Sequence, residues 1–102
     1  MIETERPKSM FIHIFLFHWK TPVSTEIIAK TTAELNAFIG QVSGLVEMRV
    51  GENLSPNAGH YPYGGYMKFT DEAAFTAYCT HPLHLALLDW LLPLIDPIEL
   101  DL

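Results

Sequence analysis

The sequence predicts a small α+β domain in which strands and helices follow one another in the order βαββαβ. Short apolar segments rich in aromatic and β-branched residues recur along the chain, as is typical of strands. The segments between them show helical periodicity and begin at residues that cap helices well. The chain has 102 residues, a length that suits one domain.

Residues 10–19, "MFIHIFLFHW", indicate the first strand. Side chains alternate between the two faces of a strand, and here both sets are apolar, so we expect burial on both sides. One face carries Phe11, His13, Phe15, Phe17 and Trp19, and the other carries Met10, Ile12, Ile14, Leu16 and His18.

A helix is expected over residues 24–42, because Ser24 or Thr25 can cap it and apolar residues follow one stripe as far as Val42. Gly44 then ends it. Residues 45–51 indicate a second strand, in which Val46, Met48 and Val50 alternate with Glu47 and Arg49. Residues 52–60 contain Pro, Gly and Asn and indicate a loop.

The second half of the chain indicates two more strands around a pair of helices. Residues 61–69 predict a strand, in which Gly64 and Gly65 favour a bulge or a close approach. Thr70 or Asp71 can cap a short helix over residues 71–79, and Pro82 begins another over residues 82–92. Residues 95–101 indicate a last strand, which Pro97 places at an edge.

This order is the ferredoxin-like plan, with helices covering one face of a four-stranded antiparallel sheet. The uncovered face is also apolar in the first strand, and 49% of all residues are hydrophobic. A second copy of the sheet would cover it, which predicts a homodimer. We expect residues 10–102 to form the single domain and residues 1–9 to be a flexible extension.

Composition excludes several classes of function. The net charge is −6 with only six Lys and Arg, so binding to nucleic acid or to an anionic membrane surface is not expected. Cys79 is the single cysteine, and residues 1–10 lack the pattern of a signal peptide. Both observations favour the cytoplasm. No ligand spacing supports a metal site, and no cofactor motif is present.

The stretch "YCTHPLH" at residues 78–84 is the main candidate for chemistry. His84 lies in the first turn of the helix that Pro82 begins, where the helix dipole disfavours a cation and keeps the imidazole neutral. A neutral imidazole can abstract a proton next to a carbonyl, and the hydroxyl of Tyr78 can hydrogen-bond to the developing charge. The alternative is that His84 and Tyr78 only cap and pack, and His81 is expected mainly as the N-cap of that helix.

This stretch resembles the Tyr-x-x-His-Pro-x-His motif of the stress-responsive dimeric α/β-barrel (Dabb) family. The segments "IHIFLFHWK", "VSGLVEMRVGENLS" and "MKFTDEAAFTAY" resemble the same family in the same order, over about residues 10–100. The resemblance implies a homodimer that forms a dimeric α/β barrel, with a pocket between sheet and helices. The motif is also similar to that of the plant olivetolic acid cyclase, a family member that closes a ring without a cofactor. This similarity implies catalytic roles for His84 and Tyr78 and a position in the pocket for His13.

The chain departs from the cyclase at two positions, so the resemblance does not identify the substrate. The cyclase has a tyrosine on its first helix that this chain lacks, and it has a histidine on its third strand near where this chain has Tyr63. We therefore expect a pocket for a small apolar or carbonyl-bearing ligand, with His13, His81, Phe15 and Tyr63 as candidate binding residues. The protein is then a cofactor-independent cyclase, lyase or isomerase. The alternatives are a non-catalytic ligand-binding dimer and a purely structural stress-response dimer. Cofactor-free monooxygenases of a related fold match the motif less well.

Overall fold

The computed structural model describes residues 10–102, so the expected flexible extension at residues 1–9 lies outside the described residues. Each strand or helix begins close to where its capping or β-branched residues predict. The elements are β1 (Phe11–Trp19), α1 (Thr25–Asn36), β2 (Leu45–Glu52), β3 (Tyr63–Phe69), α2 (Glu72–Cys79), α3 (Pro82–Leu91), a 3-10 turn (Leu92–Leu94) and β4 (Ile95–Asp101).

The four strands form one antiparallel sheet in the order β2-β3-β1-β4. This is the ferredoxin-like arrangement, so the predicted fold class is confirmed. β1 lies in the centre and β4 at an edge, as Pro97 indicated. None of the helices in the described part of the chain has the length and hydrophobicity to cross a bilayer.

One face of the sheet packs against the helices and forms the core. Phe17 of β1 and Met67 of β3 are almost fully buried there, under Leu35 of α1 and Tyr78 of α2. Burying such side chains stabilises the fold by roughly 1.5–3 kcal/mol each. The face of β1 that carries Phe11, Phe15, Phe17 and Trp19 is therefore the one that meets the helices.

The opposite face of the sheet is apolar along β1 and β4, and no helix of residues 10–102 covers it. Ile98 and Leu100 of β4 are 51% and 53% exposed and lie beside Leu16 and Ile14 of β1. Ile12 and Ile14 are only half-buried. We call this surface, made by Ile12, Ile14, Leu16, Ile98 and Leu100, the open sheet face.

The expected helix over residues 24–42 is too long, because α1 ends at Asn36. Residues 37–44 form turns instead, in which Gly40 adopts a φ of 85°, outside the helical region. Phe38 and Val42 remain buried in these turns. Their burial continues the apolar stripe of α1 after the helix itself has ended, which explains the overestimate.

The irregularity expected at Gly64 and Gly65 is a close approach rather than a bulge. Both residues keep regular pairing with β1, and a Cβ at Gly65 would collide with the carbonyl oxygen of Arg49. The bulge lies in β2, between Leu45 and Glu47. It puts Val46, which is 51% exposed, out of the predicted alternation.

Candidate functional site

A cavity of about 100 Å³ lies between the sheet and α3, next to the edge strand β4. Most of its wall is apolar, and the polar side chains that residues 10–102 contribute to it are two histidines, one tyrosine and one glutamate. The lining residues are His13, Phe15, Phe17, Leu35, Tyr78, His84, Leu87, Leu88, Leu91, Leu92, Ile95, Pro97 and Glu99.

His84 enters this cavity from the first turn of α3. Its Nδ1 lies 3.0 Å from the carbonyl oxygen of Cys79. A carbonyl only accepts hydrogen bonds, so Nδ1 carries the proton and the lone pair of the neutral ring is on Nε2. Burial lowers the pKa of His84, against opposing contributions from the Cys79 hydrogen bond and Glu99. His84 is therefore neutral at physiological pH and offers a free nitrogen base.

Tyr78 comes from the last turn of α2 and lies against His84, with 4.3 Å between the two ring centroids. Only 4% of the residue is exposed. Burial, followed by the nearby Cys79 and Glu99, raises the pKa of Tyr78 well above its ordinary value, so the phenol keeps its proton. Its hydroxyl has no hydrogen-bond partner among residues 10–102, so it can donate a hydrogen bond to a ligand in the cavity.

His13 of β1 faces the same cavity and is 6% exposed. Its Nδ1 lies 2.6 Å from a carboxylate oxygen of Asp101, and its Nε2 lies 3.6 Å from one of Glu99. The strand register explains this contact, since His13 pairs directly with Asp101 across β1 and β4. The ring is also held against Phe75, 5.0 Å away between centroids, so its orientation is fixed from two sides.

The other two predicted binding residues lie just outside the wall of this cavity. His81 is the N-cap of α3, and its Nδ1 accepts a hydrogen bond from the amide of Leu83 at 3.1 Å. The hydroxyl of Tyr63 lies 2.6 Å from that of Thr32. The Tyr63 ring stacks on Phe17, which does line the cavity, so Tyr63 forms the layer behind the wall.

Sequence reasoning missed the two carboxylates, Glu99 and Asp101. Both lie on the inward face of β4, in register with Phe15 and His13 of β1. The ferredoxin-like order places the last strand beside the first, so acidic residues at alternate positions of "IELD" were a usable signal. An acidic residue on an edge strand usually contacts only solvent, which is why the pattern was not recognised.

Cys79 lies next to the site but does not have the environment of a nucleophile. Burial and the nearby Asp101 and Glu99 carboxylates raise the pKa of its thiol, so the thiolate is disfavoured. Its role at the site is through its backbone carbonyl, which orients His84. Among residues 10–102, no three His, Cys, Asp or Glu side chains are grouped so that they could hold a metal ion.

Fold and site together define a ferredoxin-like α+β domain with a cavity between its sheet and helices. A family model confirms the class. The stress responsive A/B barrel domain (Dabb) matches residues 11–100, so the chain belongs to this family. No curated protein matches the chain.

Solved structures share the whole fold. A dimeric ferredoxin-like protein from Jannaschia sp. CCS1 is 28% identical, with a TM-score of 0.79 over 91% of this chain and 97% of that one. A Dabb family protein from Mesorhizobium loti is 25% identical, with a TM-score of 0.77 over 92% and 95% of the two chains. A hydroxynitrile lyase from Passiflora edulis is 18% identical, with a TM-score of 0.78 over 94% and 95%. At that identity the lyase shows the fold alone.

Proposed function

We propose that this chain is a cofactor-independent enzyme that moves a proton on a small carbonyl compound. The observation that carries the proposal is the contact between His84 and Tyr78, whose ring centroids lie 4.3 Å apart on the wall of one cavity. A base and a hydrogen-bond donor side by side are what enolate formation needs. Cyclases, isomerases and decyclising lyases share that step.

In this mechanism, His84 Nε2 takes a proton from the carbon next to the carbonyl. The electron pair of the broken C–H bond moves into the carbonyl group and makes an enolate, whose oxygen accepts a hydrogen bond from Tyr78. The enolate then takes the proton back from His84 at the same carbon, or at the γ-carbon where a conjugated C=C bond makes it a dienolate. Alternatively, the enolate carbon attacks a second carbonyl. In the second case His84 returns its proton to the new alkoxide.

The remaining candidate residues hold the two reacting groups and the ligand. The pair with Asp101 orients His13 toward the cavity, and Phe15 supplies part of the apolar wall. His81 fixes the start of α3, on which His84 lies, and Tyr63 supports Phe17 from behind. We propose His81 and Tyr63 as supports of the ligand site, one layer from the ligand.

The working unit in this proposal is a homodimer in the form of an α/β barrel. The open sheet face supports it, because a row of isoleucine and leucine side chains is unfavourable in water. The related structure from Jannaschia sp. CCS1 is described as dimeric, which agrees. A cytoplasmic location stays a prediction.

The second candidate is a ligand-binding dimer of the stress response that performs no reaction. The same cavity would then hold an apolar ligand through its wall and bind the ligand's polar end through Tyr78 and His84. The two candidates differ only in whether His84 removes a proton from the ligand.

Proton exchange in D₂O separates these candidates. Neutral aldehydes and ketones of fewer than about ten non-hydrogen atoms, a size the cavity allows, are incubated with protein and followed by ¹H NMR. The enzyme proposal expects loss of the signal next to the carbonyl faster than in buffer, and a return to the buffer rate in His84→Gln. Binding without faster exchange would overturn catalysis and leave the ligand-binding candidate.

A further inference from the structure

The polar end of the cavity carries a net negative charge. At neutral pH, Glu99 and Asp101 contribute two negative charges, and His13 between them contributes at most one positive charge. The cluster is therefore negative by at least one unit in either protonation state of His13. Among residues 10–102, the cavity wall contains no lysine and no arginine, so no permanently cationic side chain there would attract a carboxylate or a phosphate.

The cavity wall also provides a hydrogen-bond donor for a ligand. The hydroxyl of Tyr78 has no hydrogen-bond partner within residues 10–102, although the residue is only 4% exposed. Fully enclosed side-chain oxygen and nitrogen atoms in the same part of the chain all have partners. The Tyr78 oxygen must therefore be accessible, and the accessible space beside it is the cavity. A ligand oxygen in the cavity can accept its hydrogen bond, so ligands that carry such an acceptor are favoured.

From these two observations we infer that the cavity selects neutral carbonyl compounds and rejects carboxylates and phosphate esters of the same shape. The inference rests on the proposed function and names its substrate class. The carbonyl oxygen accepts from Tyr78, and the chain of the ligand lies along the leucine-rich wall of α3. A volume of about 100 Å³ holds a ligand of fewer than about ten non-hydrogen atoms, well below the size of drug-like ligands.

Glu99 is the residue that enforces this selection. It lines the cavity, and its side chain is 57% exposed, so it lies where a ligand would enter. Asp101 is the less exposed of the two carboxylates at 39%, and it is already committed to His13 at 2.6 Å. An anion that approached Tyr78 would meet Glu99 first, and even a protonated His13 would leave the Glu99–His13–Asp101 cluster negative.

An isosteric pair of unreactive probes tests the inference. Hexanamide and hexanoate have the same shape and differ in charge, and their dissociation constants can be measured at pH 7.5 by chemical-shift titration of the full chain. We expect wild-type protein to bind hexanamide at least about fivefold more tightly than hexanoate. The ratio of the two dissociation constants should move toward one in Glu99→Gln. It should do the same in wild-type protein at high salt, because salt screens an exposed charge. The matched control is Asp89→Asn, an exposed carboxylate of α3 outside the cavity wall, which should keep the full preference.

The outcomes separate the inference from the proposed function. Equal binding of the two probes, or tighter binding of hexanoate, would overturn charge selection and leave the cavity as a ligand site. A preference for hexanamide that Glu99→Gln does not change would also overturn the inference, because the selection would then come from elsewhere. Failure of both probes to bind would overturn the inference, whereas the proposed function is decided separately by the exchange of aldehydes and ketones in D₂O. Salt dependence in wild-type protein tests the charge effect without any variant.

Discussion

The Nδ1 nitrogen of His84 lies 3.0 Å from the backbone carbonyl oxygen of Cys79. Because the carbonyl accepts a hydrogen bond from Nδ1, the lone pair of the neutral imidazole is on Nε2, where it can act as a base. It also joins the end of α2, where Cys79 and Tyr78 lie, to the beginning of α3. The sharp break at His81 and Pro82 between these helices is what brings Tyr78 and His84 into contact.

The lowered pKa of His84 predicts how proton exchange depends on pH. Burial is the main cause of the lowering, so the base form persists below the ordinary histidine value of about 6.5. The rate constant kcat/KM should be flat at neutral pH and fall only in more acidic solution. A pH profile of the NMR exchange rate, together with a direct NMR titration of the His84 ring, measures this. An inflection above about 6.5 would contradict the assignment of His84 as the free-enzyme base.

The same shift predicts a change in stability with pH. At pH values between about 6.5, the ordinary pKa of histidine, and the lower pKa of folded His84, the unfolded chain binds more protons than the folded chain. The free energy of unfolding therefore falls as the pH falls through this range. His84→Gln removes this contribution. Urea unfolding from pH 7.5 down to about 5 should therefore show a shallower loss of stability in His84→Gln than in wild-type protein. Parallel curves for the two proteins would show that the pKa of His84 is not lowered by folding.

The Tyr78 hydroxyl is predicted to matter for activity and hardly at all for folding. It has no hydrogen-bond partner among the described residues, so Tyr78→Phe should change the free energy of unfolding by less than about 1 kcal/mol. Its loss should slow proton exchange by roughly 100-fold, as for other donors to a developing oxyanion. Tyr78→Ala is the contrasting variant, because removing the buried ring should cost about 3 kcal/mol or more. A large loss of stability in Tyr78→Phe would mean that the hydroxyl is structural.

Two glycines with nearly the same φ give a matched test of how α2 is positioned. Gly40 and Gly44 have φ values of 85° and 84°, so alanine at either carries a similar backbone penalty of about 1–2 kcal/mol. At Gly44, a Cβ would also lie 2.5 Å from the Cβ of Ala74, whereas nothing lies within 4 Å at Gly40. Gly44→Ala should therefore be less stable than Gly40→Ala by roughly 1–3 kcal/mol in urea unfolding. Equal stabilities would contradict the close packing of α2 on this turn.

The open sheet face is predicted to be the dimer interface. Leu100→Glu places a charge on this apolar surface, beside Ile14, where dimerisation would bury it without a partner. Sedimentation velocity should show a dimer for wild-type protein and a shift to monomer for Leu100→Glu. Leu85→Glu is the control, because Leu85 is similarly exposed at 50% but lies on α3, away from the sheet. A monomeric wild-type protein, or an unchanged dimer in Leu100→Glu, would exclude this interface.

The sequence predicted the fold better than it predicted the ends of the elements. The apolar strand β1 and the caps of the helices are local features, so periodicity and single residues such as Asp71 and His81 locate them. The end of α1 was missed because Phe38 keeps the apolar period after the helix has ended. The bulge in β2 was missed because it depends on pairing with β3, which no local pattern records.

The candidate site was predictable where its residues are neighbours in sequence. Tyr78, His81 and His84 belong to one short motif, and their caps and contacts follow from a proline between two helices. The contact between His13 and Asp101 joins residues 88 positions apart. It follows only from the register of β1 with β4, so it required the structure. The charge selection inferred for the cavity depends on that register as well.

A crystal structure of the protein soaked with hexanamide is the sharpest test of a ligand site at Tyr78 and His84. We expect the ligand in the cavity between β4 and α3, with its carbonyl oxygen within hydrogen-bond distance of the Tyr78 hydroxyl and its chain along the leucines of α3. The Nε2 atom of His84 should face the ligand, within reach of its amide nitrogen or of the carbon next to the carbonyl. A cavity filled by its own side chains, or hexanamide bound only elsewhere, would contradict a ligand site at Tyr78 and His84.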